Sequence, residues 1–178
     1  MVEIAEQSRL SQLESLGDAA QFASKIHDQM TFSPLFENFN RTEIELMCGF
    51  MRVYRAIPGT EIIGEGDSGD FMILLIEGKI EVFKKDRWNS PRLIALISPG
   101  QSLGEMSMID GEPRFASCIA GETCLLAMLS RENLAHIILE QPILGAKVLM
   151  ELVLMLSKRL RHTSDRLVGY MDKELGGE

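Results

Sequence analysis

Basic residues are scarce in this chain. It has 18 Lys and Arg against 26 Asp and Glu, a net charge of −8. A dedicated nucleic-acid-binding domain presents a basic face, and the overall balance argues against one. Aromatic residues make up only 6%. Cysteine occurs three times, at Cys48, Cys118 and Cys124, with no C-x-x-C spacing. An odd, scattered set argues against a disulfide framework or a zinc site and suits buried thiols in a reducing cytosol. No apolar run approaches the ~20 residues that span a bilayer, and no basic segment followed by an apolar stretch opens the chain. The expectation is a cytoplasmic protein without membrane contact.

What is present is enough sequence, 178 residues, for one domain with helical flanks. The 11 Met residues read as packing material, since Met fills irregular gaps in a core. Residues 1–30 carry Ile4, Leu10, Leu13, Leu16, Ala20, Phe22, Ile26 and Met30 at roughly helical spacing. They read as a helical extension, with a possible split at Gly17-Asp18 and a break at Ser33-Pro34. Asn40 opens a second helix, with Glu43 in the capping-box position.

From about Met51 the texture changes to short strands between Gly and Pro turns. The strands are Glu61–Ile63, Phe71–Ile76, Lys79–Lys84, Leu93–Ile97, Ser117–Ala120 and Leu125–Leu129. Pro58-Gly59, Glu77-Gly78 and Pro99-Gly100 mark turns, and residues 64–70 form a glycine-rich loop. Such regular punctuation implies a sandwich, jelly roll or barrel. Ser130 caps a short helix to Leu139, and Pro142 opens a long helix to about Lys173. No catalytic constellation stands out: there is no Walker loop, no G-x-S-x-G and no H-E-x-x-H. His27 and His136 have no metal or nucleophile constellation in the sequence around them.

The stretch from Leu103 to Ser117 concentrates chemistry. Gly104 allows close backbone approach to a ligand. The turn that follows offers free N–H groups to an anion. Arg114 can present two parallel donors to a phosphate. Glu105 can accept from a sugar hydroxyl. The alternative, a surface ion pair between Glu105 and Arg114 in a tight turn, would leave the rest of the pattern coincidental.

This stretch resembles the phosphate-binding cassette of cyclic-nucleotide-binding domains, a family that includes the bacterial catabolite activator protein and the regulatory subunits of cAMP-dependent kinase. The match lies at Gly104, Glu105, Met106, Pro113, Arg114, Ala116 and Ser117, and Gly66-Asp67-x-Gly69-Asp70 and Glu77-Gly78 resemble the family's roll turns. The resemblance implies a mainly β fold with flanking helices: an eight-stranded jelly roll with N-terminal helices and a long C-terminal helix. The implied divisions are residues 1–31, a helical extension; 32–140, the β-roll; and 141–178, the C-terminal helix. It implies that Glu105 accepts from the ribose 2′-OH, that Gly104, Met106 and Ser107 offer backbone, and that Arg114 neutralises the phosphate beside the amide of Phe115 or Ala116. Phe115 departs from the small or hydroxyl residue common there. It could stack on the base, narrow the pocket or alter the ligand.

In the long helix, Val153, Leu160 and Leu167 repeat every seven residues, offset from Leu149, Leu156, Thr163 and Tyr170. These steps make a coiled-coil seam, or a face packed on the helix's own domain. The sequence around Thr163 and Ser164 resembles the family's dimer helix, where a Thr-Ser pair meets the adenine amine; His162 lies beside it. Lys158, Arg159, Arg161 and Arg166 make the helix locally basic, as a solvated face would be. The expected function is a cyclic nucleoside monophosphate sensor, for cAMP or cGMP. It would be a homodimer through the C-terminal helix, would signal to an unknown protein partner, and would lack DNA-binding, catalysis and any cofactor or metal. The alternatives are a scaffold of the same fold, or part of a transcription regulator.

Overall fold

A computed structural model describes Arg9, residues 11–30, Ser33 and residues 38–175. The expected positions at residues 1–8, Leu10, Pro34 and Gly176-Gly177 lie outside them. Strand β1 (Glu14–Asp18) leads into a 3-10 turn (Ala19–Phe22) and helices α1 (Ala23–Met30) and α2 (Arg41–Cys48). Then come β2 (Arg52–Ala56), β3 (Glu61–Ile63), β4 (Phe71–Glu77), β5 (Ile80–Lys85), β6 (Pro91–Ile97) and β7 (Ser102–Leu103). Helix α3 (Glu105–Asp110), β8 (Ser117–Ala120), β9 (Cys124–Ser130), α4 (Arg131–Glu140) and α5 (Pro142–Leu175) complete the order.

The strands form two antiparallel sheets, β1-β2-β9-β4-β7 and β3-β8-β5-β6. The jelly roll expected from the sequence is there, with nine strands among the described residues rather than eight, because the unexpected β1 joins its edge. Its central strand explains why Phe71–Ile76 is apolar without a break. Phe71, Ile73 and Leu75 point between the sheets, where they meet Ile62, Ile80, Leu103, Cys118 and Leu126. Met72, Leu74 and Ile76 point the other way, toward Ile26, Ile44, Met47, Leu134, Leu144, Val148, Leu152 and Met155 of the helices. A strand buried on both faces has no polar side to alternate with. Met47, Met51, Met72, Met108, Met128 and Met155 are buried as packing material, whereas Met106, Met150 and Met171 are exposed, so the packing reading of methionine holds only in part.

The helical reading of the N-terminal region needs correction at Glu14–Asp18, which forms a strand. Its residues pair with β2, Glu14 opposite Arg55 and Asp18 opposite Arg52, with an irregularity between Ser15 and Gly17. Gly17, at φ +98°, disfavours helix and suits that irregularity. Leu13 and Leu16 still face the core, but through a strand edge whose existence depends on distant β2. Local periodicity cannot register such an edge. Helix α2 follows the expected start: Asn40 Oδ1 accepts from the Glu43 amide at 3.0 Å, and Glu43 Oε2 accepts from the Asn40 amide at 2.8 Å. The three cysteines are free and buried, and burial pushes the Cys118 thiol up to about 12.

Candidate functional site

The cassette lies between β7 and β8. Gly104, at φ +81°, turns the chain from β7 into α3, and Gly111, at φ +76°, closes that helix. Arg131, at the start of α4, holds the far end of α3. Its Nε donates to the Met108 carbonyl at 2.6 Å and its Nη2 to the Ser107 carbonyl at 2.7 Å. Cassette and C-terminal helices are therefore joined through the main chain of α3.

Arg114 is 3% exposed, so it is not part of a surface ion pair. Its Nη1 donates to the carbonyls of Phe71 and Gly104, each at 2.9 Å, and its guanidinium lies 4.4 Å from the Phe71 ring. Two glycines make room for it. A Cβ on Gly104 would stand 2.7 Å from Arg114 Nη1, and one on Gly69 would overlap the guanidinium. The glycine-rich loop also grips the backbone of Arg114. The Arg114 amide donates to the Asp67 carbonyl at 2.7 Å, and the Gly66 amide donates to the Arg114 carbonyl at 2.8 Å.

Glu105 is 1% exposed. Its Oε1 accepts from Arg159 of α5, which also donates through Nη2 to the Ser102 carbonyl at 2.6 Å. Its Oε2 is buried with no hydrogen-bond partner, the one such buried side-chain oxygen or nitrogen among the described residues. Burial raises the Glu105 carboxyl above the usual carboxylate range, against the opposing charges of Arg159 and Arg114. A buried carboxylate oxygen without a donor is costly to leave unmade. The site therefore contains a buried acceptor for which no donor stands among the described residues.

The other sequence candidates divide. Ser107 and Ala116 are buried beside the cassette, while Met106 is half exposed. Phe115 is 57% exposed. Its carbonyl accepts from Lys84 Nζ at 2.7 Å, and the same Nζ lies 4.5 Å from its ring. Thr163 and Ser164 are exposed on α5, with hydroxyls turned back to the carbonyls of Arg159 and Leu160 at 2.8 and 3.0 Å. Arg159 is the site residue that the sequence reading missed, because it sits among four basic residues of similar aspect. The available signal was its spacing, one helical turn before Thr163.

A glycine-floored arginine, an orphaned buried carboxylate oxygen and a two-sheet roll define a module built to hold a small anionic, hydroxylated ligand. Comparison with known proteins makes that class specific. Residues 55–141 match the model of the cyclic nucleotide-binding domain. The structure resembles a cyclic nucleotide-binding domain from Methylobacillus flagellatus KT, with 35% identity, TM-score 0.81 and 90% of each chain covered. The chain belongs to the cyclic nucleotide-binding domain family. It is also 33% identical to the cyclic AMP receptor protein of Thermus thermophilus over 74% of this chain and 59% of that protein. It is 32% identical to a cAMP-dependent protein kinase regulatory subunit of Dictyostelium discoideum, over 56% of this chain and 30% of that one. Two of these relatives are named as a receptor and as a regulatory subunit. The chain thus spans only part of the curated relatives' length. Among the described residues, no helix is long and apolar enough to cross a membrane.

Proposed function

We propose that this protein is a cytoplasmic cAMP sensor whose cassette couples ligand binding to the placement of α5. One observation carries the reading: the buried, donorless Oε2 of Glu105, with Arg114 nearby in its glycine cradle. A 3′,5′-cyclic nucleotide brings a ribose 2′-OH that can donate to this oxygen and a single negative charge that suits the guanidinium. The backbone at Gly104, Met106 and Ser107 and the amide of Phe115 or Ala116 complete the cassette.

Coupling runs through Glu105. One of its oxygens takes the ribose hydroxyl and the other holds Arg159, so ligand and helix share one carboxylate. A ligand that favours one placement of Glu105 favours one placement of α5. The helix in turn fits a second copy. From Lys158 to Asp172 every residue of α5 is exposed, with Leu160, Leu167 and Tyr170 among them. Single helices of that length are marginal in water, and the heptad spacing supplies a seam for a homodimer. Thr163 and Ser164 would then offer hydroxyls to an adenine amine at the dimer axis, and the relay to a downstream protein would start from this helix.

Calorimetry with cAMP and cGMP tests the reading. Wild-type protein binds cAMP, and Arg114→Ala weakens binding at least tenfold, since a charge-assisted hydrogen bond contributes about 1.5–3 kcal/mol. Unchanged affinity in that variant rejects the assignment. Phe115, exposed and engaged by Lys84, favours a second reading in which the same fold serves as a protein-binding scaffold. A thermal-shift screen separates the two, because a ligand at 100 times its dissociation constant stabilises by about 2.7 kcal/mol.

A further inference from the structure

The N-terminal segment reaches the cassette through the glycine-rich loop, whereas α5 reaches it through Glu105. Arg9 Nε donates to Asp67 Oδ2 at 2.6 Å, and its Nη1 pairs with Glu61 of β3. The Arg9 side chain is 26% exposed and that of Asp67 is 15%, so the pair is partly withdrawn from water. Gly64 makes the approach possible: a Cβ there would overlap the Arg9 guanidinium. Asp67 therefore serves two arginines at once. Its carboxylate holds Arg9, and its carbonyl accepts from the backbone amide of Arg114 at 2.7 Å. Two residues further on, Gly69 lies against the Arg114 guanidinium.

We propose that Arg9 is a positioning residue for Arg114: it clamps the 64–69 loop in the conformation that seats the phosphate-binding arginine, so the N-terminal segment and nucleotide affinity are linked. The inference rests on the receptor reading above. Its physical basis is that the loop has glycine at three of six positions, residues 64, 66 and 69, and such a loop has many conformations to lose. A part-buried, charge-assisted bond at its centre removes some of that freedom before ligand arrives. Because coupling is reciprocal, occupancy of the site also tightens the Arg9 clasp.

The test is a double-mutant cycle read by calorimetry with cAMP on the full chain. Arg9→Ala weakens binding about tenfold, the scale of one charge-assisted bond, while Arg9→Lys recovers part of the loss. Gly64→Ala, which displaces Arg9 without removing it, reproduces the effect. In an Arg114→Lys background, Arg9→Ala costs less than twofold more, because the residue it positions is already altered. Affinity in Arg9→Ala within twofold of wild type overturns the proposal. So does a tenfold loss that persists in the Arg114→Lys background, which would mark a general structural role. If wild type and Arg114→Lys bind cAMP equally, or neither binds it, the receptor reading itself fails and this inference falls with it.

Discussion

The cassette and the distal half of α5 are opposite solutions to holding charged groups. In the cassette, Glu105 and Arg114 are buried, and the backbone around them is fixed by glycine turns and arginine caps. Along Lys158–Asp172 the side chains are exposed and the hydroxyls of Thr163 and Ser164 turn back on their own helix. Arg159 joins the two regions, with 44% of its side chain exposed at one end of an ion pair whose other end is 2% exposed. The contrast teaches where a signal can originate. On the proposed reading, the buried side discriminates the ligand and the exposed side responds.

The comparison breaks most sharply at Gly104. Its φ is +81°, and an added Cβ would stand 3.0 Å from the Phe71 carbonyl, so alanine there is both strained and crowded. Gly104→Ala is expected to lower stability by about 2 kcal/mol and Tm by on the order of 5 °C. It should also weaken cAMP binding at least a hundredfold (about 2.7 kcal/mol). Differential scanning calorimetry and titration measure both, and an alanine variant that binds like wild type would show that the cassette is less rigid than described.

The exposed region is tested by its partner. For the proposed homodimer, the double variant Leu160→Glu with Leu167→Glu should raise the dissociation constant at least about a hundredfold, since each leucine buried in the seam contributes about 1.5–3 kcal/mol. The melting of the β-roll should stay nearly unchanged. Analytical ultracentrifugation reads the assembly, and a wild-type chain that stays monomeric at high concentration would remove the seam from the account.

Legibility followed the same divide. The cassette could be read from the sequence because its geometry is local: Gly104, Glu105 and Arg114 lie within one turn-helix-turn segment, and their residue types carry the chemistry. The doubly buried Phe71–Ile76 strand was also legible, as an apolar run of strand length. Strand β1 was not, because its pairing partners lie 34 to 41 residues away (Asp18 opposite Arg52, Glu14 opposite Arg55) and Leu13 and Leu16 keep a helical spacing. Arg159 was not, because its partner is 54 positions away and nothing nearby sets it apart from Lys158 and Arg161. The role of Arg9 was invisible for the same reason. Long-range pairing, rather than residue type, is what the sequence hid.

A subtler probe of the rigid side is protonation. Burial raises the Glu105 carboxyl above its ordinary value of 4.5, so the folded state takes up this proton before the unfolded chain does. Between 4.5 and the raised value the native state binds more protons, and stability contributed by this group falls as pH rises through that window. Affinity runs the other way: cAMP binding should weaken as pH falls through the same window, because the ionised carboxylate is the stronger acceptor. Glu105→Gln should remove both slopes, bind about tenfold more weakly at pH 7, and keep its Tm, since Arg159 can turn to water. A wild-type affinity that is flat across the window would place the ribose hydroxyl elsewhere.

The smallest expected effect separates the two ends of α5 itself. Gly145 lies where α5 crosses α4, and a Cβ there would stand 2.7 Å from the Ile138 Cα, a backbone atom that cannot move aside. At Gly169, by contrast, an added Cβ would meet no atom within 4 Å. Both are helical glycines, so propensity alone would stabilise either on replacement by alanine, by roughly 0.5–1 kcal/mol. Gly145→Ala should nevertheless lose stability, because overpacking costs about 1–3 kcal/mol, whereas Gly169→Ala should gain the propensity term without altering cAMP affinity. Thermal melts and titration of the two variants side by side decide it. Should Gly169→Ala instead destabilise the protein, the space around residue 169 must be filled in the assembled molecule, and the partner helix would have to pass closer there than the Leu160–Leu167 seam implies.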